Sequence, residues 1–122
     1  MQDNLTEDNL NFDEDHRPWG TFRRFTLNTS STVKILKVKP NEELSLQSHK
    51  KRSEFWHVIS GSGFFELDDN KKSVKKGDEL YIPKEAKHRI SSTEEGIEVL
   101  EISFGIFDEN DEVKYKDKYG RV

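Results

Sequence analysis

The stretch "LSLQSHKKRSEFWHVISG", Leu44 to Gly61, sets Gln47, His49 and Glu54 between two apolar runs in a chain with only four histidines. Side chains on a strand alternate faces. Ser45, Gln47 and His49 therefore project to one side of one strand, and Glu54, Trp56 and Val58 to one side of the next. Polar groups thus interrupt what should be an inward face. Burying an imidazole, an amide and a carboxylate together is costly unless all three are satisfied, and a shared cation satisfies them at once. A buried hydrogen-bond network would serve as well, and a surface placement would need neither. Alternation alone does not choose among the three.

Outward from this stretch, short strand-like runs alternate with turn signals every 8 to 12 residues or so, the pattern of a sandwich or barrel. Strands are expected near 21–27, 33–39, 43–49, 54–60, 63–68, 71–76, 79–82, 87–92 and 97–105. "KPNEE", "SGSG", "DDNK" and "KKGDE" supply the turns. No long stretch carries a helical period. With 36% charged and 31% hydrophobic residues, the core must be thin and its elements half exposed, which favours antiparallel strands. The 122 residues suffice for one domain that buries roughly two-thirds of its unfolded surface. Residues 1–15 hold six acids and no base, so they read as a flexible acidic tail, with a single domain over 16–122.

A net charge of −4 provides no basic field for nucleic acid or anionic lipid. The absence of cysteine removes disulfides, thiolate zinc sites and cysteine nucleophiles. No signal peptide and no membrane span is legible, so the expectation is a cytoplasmic protein with neither nucleic-acid nor membrane partner.

A second segment, "KKGDELYIPKEAKHRISS", Lys75 to Ser92, has a glycine turn, a short apolar strand, Pro83 to end it, and His88 opening another strand. Together the two segments resemble the paired motifs of the cupin superfamily. In the first motif, Asn41 stands at the opening glycine, Gln47 and His49 at the His-x-His pair, Glu54 at the glutamate and Gly61 at the closing glycine. In the second, Gly77, Pro83, Glu85, His88 and Ser92 match in spacing. Glutamine in place of the first ligand histidine is similar to the cupin domain of type II mannose-6-phosphate isomerases. "RPWG" (Arg17–Gly20), "LSLQSH", "RSEFW", "VISG", "YIPKEAKHRI" and "DKYGR" (Asp117–Arg121) extend that likeness.

The resemblance implies an all-β, double-stranded β-helix, a jelly-roll barrel with the site in its mouth. It implies one divalent metal ion on Gln47, His49, Glu54 and His88, a ligand set that accepts zinc, manganese, cobalt, nickel or iron. The implied reaction interconverts mannose 6-phosphate and fructose 6-phosphate through a metal-stabilised enediolate, in supply of mannose for polysaccharide. A non-catalytic metal- and sugar-binding sensor is the alternative, and a cupin dioxygenase a third. Glu101 and Glu54 are the carboxylates to test first as base, with Lys51 or Lys87 assisting, although alternation also allows Glu101 an outward-facing role. Arg52 and Arg89 are expected at the phosphate, Arg89 also near the chemistry, even though a regular strand aims Arg89 away from His88. Trp56 lines the barrel wall or the sugar. The family has histidine at Phe55, glutamine near Ser103 and arginine near Lys114. Finally, Phe55, His57 and Ile59 form an outer apolar strip, from which a homodimer is expected.

Overall fold

The computed structural model describes residues 13–121. It contains only strands and turns: β1 (Asp13–Arg17), β2 (Gly20–Arg24), β3 (Ser31–Val38), β4 (Leu46–Ser48), β5 (Arg52–Leu67), β6 (Asn70–Lys75), β7 (Glu79–Ile82), β8 (His88–Gly105) and β9 (Val113–Lys116). No described helix is long and apolar enough to cross a membrane.

The barrel is built on β5 and β8, which pair antiparallel along their whole length, from Arg52↔Gly105 to Leu67↔His88. The N-terminal half of β5 and the C-terminal half of β8 lie in one sheet, flanked by β7 and β3. Their other halves pair with β6 and with β4, which in turn pairs with β9, so that one continuous seven-stranded ladder folds over into two facing sheets. Two strands shared by two sheets must bend, and the register slips between Val58 and Ser60 and again between Gly61 and Gly63. Here the expected "SGSG" turn gives way to a bulge. A Cβ on Gly61 would lie 2.1 Å from the Gly96 carbonyl oxygen, and one on Gly63 would lie 1.9 Å from that of Ser91. Only glycine lets β5 cross β8 this closely. The expected pairs 54–60 with 63–68, and 87–92 with 97–105, are therefore two long bent strands rather than four.

Three other turns fall where expected. Asn41 has φ 57° and closes its turn through Glu42 N–H to the Lys39 carbonyl, 3.2 Å. Asp68, φ 53°, starts the β5–β6 hairpin, and Gly77, φ 93°, follows β6. β1 and β9 were not foreseen. β1 takes Asp13 to Asp15 out of the expected tail and pairs them with β2; residues 1–12, with the rest of that tail, lie outside the described residues.

Between the sheets, Trp56, Val58, Phe65, Ile82, Ile90 and Val99 form the main core. A second cluster lies on the outer face of the first sheet, where Phe25, following β2, and Tyr81 cover Phe55 and Ile102. Phe55, expected on an exposed strip, is 0% exposed, its ring 5.5 Å from that of Phe25. The outward parity is right, but the chain covers this face itself. His57 on the same face donates its Nδ1–H to the Glu79 carboxylate, 2.8 Å away, and Arg23 clamps the same carboxylate at 2.6 Å.

Candidate metal centre

Four stretches meet at one end of the barrel. β4 and the turn after it carry Gln47 and His49, β5 carries Arg52, Glu54 and Trp56, and the two ends of β8 carry His88 and Glu101. With Lys34 of β3 and Glu112, they line a cavity of about 180 Å³. Gln47 and His88 are direct cross-strand partners, so pairing of β4 with β8 brings the two motifs together.

Both imidazoles are held in one tautomer. His49 Nδ1 lies 2.8 Å from the Asp111 carbonyl, and His88 Nδ1 lies 3.0 Å from the Ala86 carbonyl. A carbonyl only accepts, so each Nδ1 carries a proton, and in the neutral ring Nε2 keeps its lone pair. Those two nitrogens face the Glu54 carboxylate, His88 Nε2 at 3.4 Å from Oε1 and His49 Nε2 at 3.9 Å from Oε2. The three donors lie within 4.8 Å of one another, and all three residues are buried.

Glu54 Oε1 is buried with no hydrogen-bond partner. A buried anionic oxygen without a partner is unfavourable, and a cation beside it removes that cost. Burial holds the His49 imidazole below its ordinary value, which keeps it neutral, as a metal ligand must be. The Gln47 amide N–H donates to the Ser45 carbonyl at 3.4 Å and leaves its oxygen as a fourth donor. This set fits a divalent ion, and the imidazole–carbonyl bonds supply the outer shell that orients such ligands.

Glu101 faces the same cavity instead of the solvent, 6% exposed. Burial first, and then the charge of Glu54, push its carboxyl up to about 7, while Trp56 Nε1–H donates to it at 3.0 Å. Arg52 is buried beside it, and Ser103 Oγ–H donates to Glu54 Oε2 at 3.2 Å.

Arg89 and Lys51 are not brought to this cavity. Arg89 follows His88 and so takes the opposite face, where its guanidinium grips Glu66 at 2.8 Å and Glu43 at 2.9 Å. The Lys51 ammonium is exposed beside Asp108 at 3.6 Å. Sequence reasoning missed Lys34, because β3 turns Val33 and Ile35 outward and Lys34 with Leu36 inward, against the apolar pattern. It also missed Asp111, which acts through its backbone carbonyl on His49 and through its carboxylate on the Lys50 and Lys51 amides. No side-chain signal marks a backbone acceptor.

The barrel and its ligand cluster define a cupin, and similarity to solved structures agrees. Oxalate decarboxylase from Bacillus subtilis superposes with a TM-score of 0.65 at 28% identity, over 70% of this chain and 24% of that one. The chain belongs to the family described as mannose-6-phosphate isomerase C-terminal, whose profile matches residues 4–117. Mannose-1-phosphate guanylyltransferase of Escherichia coli K12 is 33% identical over 111 residues, 89% of this chain and 23% of that protein. An alginate biosynthesis protein of Pseudomonas putida is 34% identical with the same coverage. The chain thus spans under a quarter of the length of these relatives.

Proposed function

We infer that this domain is a metal-dependent sugar-phosphate isomerase that interconverts mannose 6-phosphate and fructose 6-phosphate, in supply of mannose for polysaccharide. One observation carries the reading: a metal-ligand cluster and a carboxyl with a value of about 7 share one small cavity. Aldose–ketose exchange moves a proton between adjacent carbons of the open-chain sugar, and a base is most effective when its value lies near the working pH. Glu101 is that base, held in place by the Trp56 N–H. A divalent ion on Gln47, His49, Glu54 and His88 supplies positive charge for the oxyanion that develops as the proton leaves. Glu54 is thereby a ligand and not the base. Arg52 and Lys34, the cations that line the cavity, serve the phosphate.

The test is an isomerisation assay with both sugar phosphates on metal-stripped protein, before and after restoring zinc, cobalt, manganese or nickel. Metal-dependent interconversion is expected. Metal and sugar-phosphate binding without turnover would replace the enzyme by a sensor.

Self-association is part of the proposal, through a different surface from Phe55. Among the described residues β3 pairs only with β8, which leaves its other edge free. Its outer face shows Val33 and Ile35, 58% and 56% exposed. Antiparallel pairing of β3 with a second β3 is symmetric and makes Val33 and Ile35 of the two copies cross-strand neighbours, so a two-fold dimer is the expected form.

A further inference from the structure

Arg52 is 6% exposed, and its guanidinium is committed to two of the proposed ligands. Nε–H donates to Glu54 Oε2 at 3.1 Å, and an Nη–H reaches His49 Nε2 at 3.2 Å. Because His49 Nδ1–H is given to the Asp111 carbonyl, Nε2 has a single lone pair, and Arg52 uses it. An ion bound by His49 needs that same lone pair, so the guanidinium and the ion exclude each other there. The guanidinium already does part of the ion's work, since Glu54 is buried and an uncompensated charge there would be strongly destabilising.

We propose that Arg52 is a placeholder cation, displaced from His49 and Glu54 when the metal binds, and that the displaced guanidinium forms the site for a phosphoryl oxyanion. This rests on the metal-site reading but not on isomerase activity. The displaced group stays near the cavity, because Arg52 is anchored in β5 opposite Gly105 and its guanidinium carbon lies 4.4 Å from the Phe107 ring centroid. Neither remaining acid of the cavity is idle. Glu101 accepts from Trp56, and Glu112 faces Lys114 at 3.5 Å. A guanidinium that has lost Glu54 in this setting recruits an external anion, and phosphate oxygens match its fork. Metal and oxyanion therefore bind with positive coupling, the metal preparing the anion site.

The test uses the full chain, stripped of metal, with Zn²⁺ and Co²⁺ as ions and inorganic phosphate as the anion. In wild-type protein the Arg52 Nε–H proton should be protected from exchange by NMR, lose protection on adding Zn²⁺ and regain it with phosphate. Arg52→Met, which removes hydrogen bonds to a charged group, should bind either ion about tenfold more tightly or better. Arg52→Lys, which cannot span both acceptors, should fall between. Phosphate should tighten ion binding in the wild type and not in Arg52→Met. An Arg52 proton that stays protected in the metal-loaded wild type would overturn the proposal without any variant, as would an unchanged or weaker ion affinity in Arg52→Met. Failure of wild type and variants alike to bind an ion would remove the metal site itself.

Discussion

Glu101 shows how one buried residue links stability to chemistry. Its carboxyl holds a proton more tightly folded than unfolded, about 7 against the ordinary 4.5, so ionising it works against the fold. Stability is fully present below the ordinary carboxylate range and falls as pH rises from 4.5 towards 7 and just beyond. Glu101→Gln keeps an acceptor for Trp56 and removes the ionisation. In metal-stripped protein its urea midpoint should exceed that of wild type at pH 8, by on the order of 1–3 kcal/mol in stability, with little difference at pH 5. The same substitution should lower kcat about 100- to 10,000-fold while metal still binds, and wild-type turnover should climb with pH as the base ionises, with a midpoint below the metal-free value of about 7 because a bound cation offsets the Glu54 charge that helps to raise it. Gln47→Ala, His49→Ala and His88→Ala should each abolish stoichiometric metal on dialysis and elemental analysis. Retention in all three would sink the site.

At the scale of elements, two positions that depart from the family's motif glycines now have a backbone reason. Asn41 and Glu85 both adopt left-handed backbone, φ 57° and 70°. Asparagine tolerates this conformation and glutamate does so poorly. The Glu85 amide also donates to the His49 carbonyl at 2.6 Å, so the strained residue helps to hold the ligand turn. Glu85→Gly should raise stability by about 0.5–1 kcal/mol in thermal or chemical melts, the relief of strain exceeding the added chain entropy. Gly63→Ala should instead cost more than about 3 kcal/mol, since its Cβ would collide with a backbone oxygen that cannot move without breaking the β5–β8 ladder. The glycines of "SGSG" were visible from sequence. Their use as a crossing instead of a turn was not, because the constraint comes from β8, some thirty residues further along the chain.

For the whole molecule, light scattering at micromolar concentration should report a dimer, and Val33→Glu combined with Ile35→Glu, which sets like charges opposite each other across the paired strands, should give a folded monomer. A wild-type monomer would refute the proposed β3 interface. The all-β class and the spacing of the two motifs were legible in the sequence, and the grouping of Gln47, His49, Glu54 and His88 was legible there through the resemblance of those motifs to the cupin pair. Strand alternation and turn residues are local rules, and motif spacing encodes which positions share a barrel end. Tertiary structure decided the rest: Phe55 is covered by Phe25, Arg89 is held by Glu66 and Glu43, Glu101 faces inward with a raised carboxyl, and Arg52 occupies the acceptors a metal would need. Each of these depends on what another segment places opposite the residue, and burial, charge neighbours and lone-pair competition exist only once those segments have met.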